Sequence, residues 1–287
     1  MRGKTVLITG ASAGVGRHLA HDLATRGAVL LLHGRDRDRL ERVADEVADR
    51  AEAVRVYQAD LGDLDRVRDL AAHVRQDVPA LDVLVNNAAV GGGADPTVRE
   101  TNAQGYELRL ATNHLAPYLL VRELRGALAA AGSARVVNVA SIGQLPLDLD
   151  DPMFTRGYHG VEAYCRAKLA MIMGTFDLAE ELRGQGTAVN ALHPAHLMDT
   201  RMVRHGGLTP ATTVDAGVLP TLRLVADPAL EGVTGRYFDR FDEARAHEQA
   251  YDPEVRRRLA ALTGRLLDGT PAARTGEGAD RATRGTL

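Results

Sequence analysis

Thr9-Gly10-Ala11-Ser12-Ala13-Gly14-Val15-Gly16 is the stretch from which the rest of the chain is read. A short apolar run, Thr5–Thr9, leads into it, and a segment of helical periodicity, Gly16–Arg26, leads out. Glycines let a backbone turn sharply and come close to a ligand, and a helix N-terminus offers free N–H groups and partial positive charge to an anion. Strand, glycine-rich turn and helix in that order predict a pyrophosphate cradle made by Gly10, Ser12, Ala13, Gly14, Val15 and Gly16. Alone, such a turn also suits an ordinary strand-to-helix connection, so the remaining motifs must agree with it.

The alternation continues downstream. Further strand candidates are Ala28–His33, Ala53–Gln58, Val83–Asn86, Val136–Ala140 and Thr187–Leu192, and amphipathic segments lie at Arg37–Arg50, Asp63–Asp77 and Tyr164–Leu182. Most strand candidates have apolar residues in succession, as strands buried on both faces of a parallel sheet do. The expected fold is α/β: a doubly wound, Rossmann-type parallel sheet with helices on both faces, a three-layer αβα sandwich. With 287 residues and 45% hydrophobic content, the chain suits one such domain over residues 1–269. From 270 to 287 Gly, Ala, Thr, Arg and Pro dominate, which predicts a disordered tail.

Composition narrows the function. Lys plus Arg number 35 and Asp plus Glu 38, so the formal charge is −3, unlike the basic excess of a nucleic-acid binder. Arg37–Arg50 is densely charged, but its signs alternate, as on a solvated helix face. One cysteine, Cys165, allows no internal disulfide and no cysteine-based zinc site, and the ten histidines show no metal-ligand spacing, so no metal is expected. No apolar run approaches the ~20 residues of a membrane span, and Thr9-Gly10 interrupts the first run too early for a signal peptide. A soluble cytoplasmic protein is expected.

The second strand ends at Leu32-His33-Gly34-Arg35. An acidic residue at that place grips the 2′-hydroxyl of NAD, whereas an arginine accommodates the 2′-phosphate of NADP. Arg35 favours NADP (a guanidinium fork suits a phosphate), and Asp36 behind it leaves NAD possible. Tyr164 and Lys168 stand four apart on a helical segment and so share a face. A nearby ammonium stabilises phenolate and draws the phenol pKa down from about 10 toward the operating pH. Ser141 follows Val136–Ala140 at the carboxyl end, where open α/β sheets place their ligand crevice, and its hydroxyl can bond a substrate oxygen beside Tyr164. Each of these residues taken alone is a common surface or turn residue.

Together these motifs resemble the short-chain dehydrogenase/reductase family, single-domain type, from about Lys4 to Phe238. The resemblance also rests on Asp60-Leu61, Asn86-Asn87-Ala88-Ala89, Asn113 and His193-Pro194. Asn113-His114-Leu115, Val136–Ser141, Ala163–Ala170 and Ala191–Pro194, with the long Ser141-to-Tyr164 interval, look like its retinol-dehydrogenase-like branch. It implies that Tyr164 transfers the proton, Lys168 holds the nicotinamide ribose, Ser141 orients the substrate oxygen and Asn113 anchors a water linking Lys168 to solvent. Asp60 and Leu61 would contact adenine, Asn87 and Ala88 would lie along the cofactor, and the nicotinamide carboxamide would meet the backbone after Pro194, from Ala195 to Leu197, with Thr200 nearby. Homodimers and homotetramers are common in the family.

Departures from the family pattern fall beside the site. Ala89 and Ala195 replace usual glycines, Thr200 sits one position further out than is common, and Ala167 replaces a frequent serine. Tyr158 is a competing tyrosine, but Glu162, not lysine, stands four residues on, so packing or pocket lining is expected of it. His114, His193, His196 and Cys165 are expected to pack or face solvent. The implied activity is NADP-dependent interconversion of a ketone or aldehyde with an alcohol on a small or medium hydrophobic substrate. Specificity is expected in Leu145–Gly160 and Asp199–Asp227, loops on a rigid scaffold. Two alternatives compete: a catalytically silent NADP-binding or redox-sensing protein, and a sugar-nucleotide epimerase. The first usually loses Tyr or Lys, and the second usually has other glycine spacing and a longer C-terminal domain.

Overall fold

The structure, a computed structural model, describes residues 1–269; the tail expected over 270–287 lies outside the described residues. The first half runs β1 (Thr5–Thr9), α1 (Gly14–Ala24), β2 (Val29–Gly34), α2 (Arg37–Val47), β3 (Ala53–Gln58), α3 (Leu64–Asp77) and β4 (Val83–Asn86). Next, α4 (Leu108–Leu110) passes through a π-helical turn at Ala111–Leu115 into α5 (Ala116–Ala130). There follow β5 (Ala134–Val139), α6 (Gly160–Glu181), β6 (Thr187–His193), α7 (Arg201–His205) and α8 (Asp215–Ala226). The chain closes with β7 (Tyr237–Asp239), β8 (Asp242–Ala244) and α9 (Pro253–Leu267).

The strands form one sheet in the order β3-β2-β1-β4-β5-β6-β7-β8. Every pair is parallel except β7–β8, an antiparallel hairpin at one edge that the sequence reading did not foresee. Strand residues alternate between two cores, as a period of two requires. Val6 and Ile8 join Val15, Leu19, Val43 and Leu222 on the face covered by α1, α2 and α8. Leu7 points the other way, to Leu70, Leu120 and Leu178 of α3, α5 and α6. Helices on both faces make the expected three layers.

Several expectations need correction. β3 is an edge strand with Ala53, Arg55 and Gln58 exposed, because only β2 pairs with it. β5 ends at Val139 rather than Ala140, which puts Ser141 on the following loop, and α6 begins at Gly160 rather than Tyr164. The Leu108–Ala130 helices were not among the amphipathic segments read from the sequence; Pro117 occupies the first turn of α5, where no N–H is needed. α9 lies beyond Phe238, where the resemblance ends; Asp252 caps it through Glu254 N and Val255 N, and it buries Leu259, Leu262 and Leu266. Among the described residues no helix is long and apolar enough to cross a membrane.

Beneath the carboxyl edge runs a buried polar chain. Asn86 Nδ2 donates to Asn138 Oδ1 at 2.8 Å, Asn138 Nδ2 to Thr175 Oγ1 at 2.8 Å, and Thr175 Oγ1 to Met171 O at 2.8 Å. It ties β4 to β5 and β5 to α6, the helix of Tyr164 and Lys168. Asn138→Ala strands buried groups on both neighbours and should cost about 2–4 kcal/mol of stability. Urea unfolding checks this; a wild-type midpoint would refute it.

Candidate active site

Strand order reverses between β1 and β4, the place where open α/β sheets bind ligands. Thr9 and Asn87 stitch this point. Thr9 Oγ1 donates to Val85 O at 3.2 Å and accepts from Asn87 N at 2.9 Å and Ala88 N at 3.0 Å. Asn87 Nδ2 donates to Thr9 O at 2.8 Å. The glycine turn is packed against this stitch: a Cβ on Gly16 would lie 2.4 Å from Gly10 O and 2.7 Å from Asn87 Nδ2. Gly10 is left-handed at φ +67°, and its Cβ would meet Ala88 Cα at 3.0 Å. α1 then starts on Ala13, which offers no side-chain cap, and its first turn holds no acidic residue. The leading N–H groups of α1 therefore keep their bonding capacity for an anion.

The loop after β6 closes over the same turn. A Cβ on Gly14 would approach Thr200 Cγ2 at 3.3 Å. Thr200 also caps α7, accepting from Val203 N at 3.4 Å. Between them Leu197 is left-handed at φ +39°, an uncommon state for a leucine and one that clusters at functional loops. Thr200 thus reaches the glycine turn despite its displacement in the sequence, and Pro194 and Ala195 are buried behind it.

On the other side of the turn, Arg35 is exposed at the end of β2 and has no ion-pair partner among the described residues. Asp36 is engaged elsewhere: it caps α2 through Arg39 N at 3.1 Å and pairs with Arg39 Nε at 3.0 Å. Arg35, Asp60, Gly62, Arg66, Asn102 and Leu108 line one open groove. Leu61 is buried beside it, and Asp60 Oδ1 accepts from Gly62 N at 2.9 Å. Ser12 Oγ lies 3.4 Å from where a Cβ on Gly34 would stand, so it faces the end of β2.

Tyr164 sits half-buried on α6, with the Lys168 ammonium 5.8 Å from its ring centre. Burial pushes the phenol upward, while a hydrogen bond with the Ser141 hydroxyl pulls it down and the adjacent Cys165 raises it. The expected depression by Lys168 does not govern here. Burial instead lowers Lys168 to about 7, and its Nζ donates to Val139 O at 2.6 Å. Asn113 is fully buried on the π-helical turn, a feature frequent at functional sites. Its side chain is committed to Val90, accepting from Val90 N at 2.8 Å and donating to Val90 O at 2.9 Å. The amide thus holds the loop after β4.

Residues 4–208 match the family model described as short chain dehydrogenase. The chain belongs to this family. It is 32% identical to human retinol dehydrogenase 13 over 285 residues, covering 92% of this chain and 85% of that one, which supports the retinol-dehydrogenase-like branch. Among solved structures, an uncharacterised protein from Mycobacterium paratuberculosis superposes with a TM-score of 0.76 at 27% identity, covering 93% of this chain and 94% of that one. A Beutenbergia cavernae protein, named as an NAD(P)-dependent gluconate 5-dehydrogenase and carrying NADP at low occupancy, gives 0.67 at 31% identity, covering 83% and 95%. Membership makes the chain an NAD(P)-dependent dehydrogenase or reductase.

Other candidates in this short-chain dehydrogenase fall into structural places. Tyr158 donates to Glu107 Oε1 at 3.0 Å and stacks near Phe154, so it packs. His114 is buried against Thr263 Oγ1 at 2.8 Å, and burial brings it down to about 4. His193 is buried and His196 exposed. Cys165 departs from expectation: a Cβ on Gly143 would lie 3.1 Å from its Sγ and 3.4 Å from Ser141 Oγ, so the thiol borders the site. Sequence reasoning missed Tyr237 and Gln144, which both bond Ser141 O at 3.0 Å. For Tyr237 no local signal exists, since the two residues are 96 positions apart.

Two measurements probe this geometry. Gly16→Ala should lower both melting temperature and cofactor affinity, the latter read by NADPH fluorescence titration; wild-type values in both would contradict the packing. A lysine held near 7 when folded and about 10.4 when unfolded binds fewer protons in the folded state between those limits. Its contribution therefore makes stability rise with pH from about 7 to 10. Lys168→Met should flatten that rise in denaturant unfolding, and an unchanged slope would count against the burial effect.

Proposed function

We propose that the chain is an NADP-dependent oxidoreductase that interconverts a ketone or aldehyde and its alcohol on a small or medium apolar substrate, with Tyr164 as the acid–base group. The observation that carries this reading is the meeting of Ser141 and Lys168 at Tyr164 beside the switch-point cradle. The cradle fits a dinucleotide: added Cβ atoms would fill it at Gly10 and Gly16, and the α1 N-terminus is uncapped. Gly10, Ser12, Ala13, Gly14, Val15 and Gly16 would hold the pyrophosphate. Asp60 and Leu61 would border the adenine, Asn87 and Ala88 the dinucleotide's middle, and Pro194, Leu197 and Thr200 the nicotinamide. When bound, the nicotinamide supplies or accepts hydride.

This chain's residues supply the proton. Burial keeps the Tyr164 phenol protonated at neutral pH, which suits donation to a developing alkoxide, the direction of carbonyl reduction. The Ser141 hydroxyl orients the substrate oxygen and eases phenolate formation as the proton leaves. Lys168, held by Val139 O, would grip the ribose and bring positive charge to the same spot. Arg35 favours NADP because its guanidinium has no ion-pair partner among the described residues, while Asp36 is spent on Arg39 and the α2 cap. Exposed Ile142, Val161 and Met202 at the carboxyl edge support an apolar substrate. The similarity to human retinol dehydrogenase 13, whose name denotes an apolar alcohol as substrate, points the same way.

NADPH oxidation with a panel of aldehydes and ketones tests the assignment. Tyr164→Phe should lose about 10²–10⁴-fold in kcat while still binding NADPH; full activity would end the mechanism. Arg35→Ala should weaken NADPH about tenfold or more relative to NADH, one to two charge-assisted bonds being removed. Unchanged preference would return the choice between NAD and NADP to Asp36.

A further inference from the structure

β5 ends at Val139 and its ladder reaches no further than Ala140, whose N–H donates to Leu192 O at 2.8 Å, so Ser141 opens a loop on which Ile142, Leu145 and Pro146 are exposed. A serine that must present its hydroxyl to Tyr164 cannot be left on a free loop without losing orientation. The loop is instead fastened to the C-terminal part of the chain. Ser141 O accepts from Tyr237 Oη at 3.0 Å and from Gln144 Nε2 at 3.0 Å. Gln144 Oε1 in turn accepts from His247 N at 2.7 Å. Three residues on, Gln249 pairs with Leu147 as a strand neighbour would: Leu147 N donates to Gln249 Oε1 at 2.7 Å, and Gln249 Nε2 donates to Leu147 O at 3.0 Å.

We propose that Tyr237 and Gln144 are positioning residues, and that the segment from Tyr237 to Gln249 is a clamp that aims Ser141 at Tyr164. Both carbonyl lone pairs of Ser141 are used, so the peptide cannot rotate without breaking two hydrogen bonds. The Ser141 hydroxyl meanwhile accepts from Gly143 N at 3.0 Å, which orients its lone pairs and leaves its proton for the phenol or substrate oxygen. Tyr237 is 3% exposed, so its bond to Ser141 O is shielded from competing water. Ser141 and Gln144 lie within the span matched by the family model, residues 4–208, whereas Tyr237, His247 and Gln249 lie beyond it. The proposal rests on Tyr164 being the proton donor, with Lys168 and Cys165 as the titratable groups beside it on α6.

The test is the pH profile of kcat for NADPH oxidation with an aldehyde that the wild type reduces. Reduction needs protonated Tyr164, so activity falls on the alkaline side as the phenol ionises. The Ser141 bond favours phenolate, and slackening it should move that limb to higher pH. Tyr237→Phe and Gln144→Met each keep the packing and remove a bond to Ser141 O. Each should lower kcat about 3- to 10-fold, leave KM for NADPH unchanged, and move the alkaline limb upward. In a Ser141→Ala background neither substitution should have a further effect on the limb. A merely structural role would reduce amplitude without moving the limb, and that result in both variants overturns the proposal. Shifts that add fully to Ser141→Ala overturn it as well. Full activity of Tyr164→Phe, measured in the same series, would sink the underlying reading rather than the clamp. A wild type that reduces no aldehyde or ketone sinks both.

Discussion

Two backbones approach at the centre of the sheet more closely than any side chain would allow, and the rest of the molecule is arranged around that contact. The Thr9 hydroxyl receives two N–H groups from the turn after β4, and the Asn87 amide reaches back to Thr9 O. Gly16 must be glycine because Gly10 O occupies the space of its Cβ. A strand-order reversal opens a crevice in any doubly wound sheet. Here the stitch fixes its width, the helix N-terminus gives it positive potential, and Thr200 closes it from the far side.

Burial sets the electrostatics of Tyr164 and Lys168. Desolvation disfavours whichever form is charged, so the same environment pushes a phenol up and an ammonium down. The two shifts oppose the simple picture of a cation acidifying its neighbour. They produce instead a tyrosine that holds its proton more tightly than a free phenol does. The Ser141 hydroxyl bond favours phenolate against that burial, so the position of its loop bears on the state of the phenol. Lys168 spends one N–H on Val139 O, with its ammonium 5.8 Å from the Tyr164 ring centre.

Position in the chain and position in space diverge most on the substrate side. Leu145–Gly160 folds down on Phe154, whose ring lies 4.0 Å from the Arg166 guanidinium carbon, and Arg258 of α9 pairs with Asp150 at 2.6 Å. Val161 and Ile142, just outside the segments expected to govern specificity, are among the exposed apolar residues of this edge, as is Met202 within them. Gly91 and Gly92 admit Met202 and Val161 because a Cβ there would touch their side chains at 3.0 Å and 2.7 Å. The apolar lip is thus assembled from the loop after β5 and the first turns of α6 and α7.

Local pattern sufficed wherever one residue type answers one local demand. The glycine turn, the apolar runs of β1, β2 and β4, and the i, i+4 pair Tyr164–Lys168 were legible because backbone sterics and helical spacing act over a few residues. What the tertiary structure alone decided is the setting of those residues. The turn of Tyr164 toward high pKa, the commitment of Asn113 to Val90, the removal of Asp36 by Arg39 and the bond from Tyr237 to Ser141 all depend on groups brought together by folding. Desolvation and long-range hydrogen bonds are properties of the packed chain, so a string of residues can name the chemical groups but not their protonation or their aim.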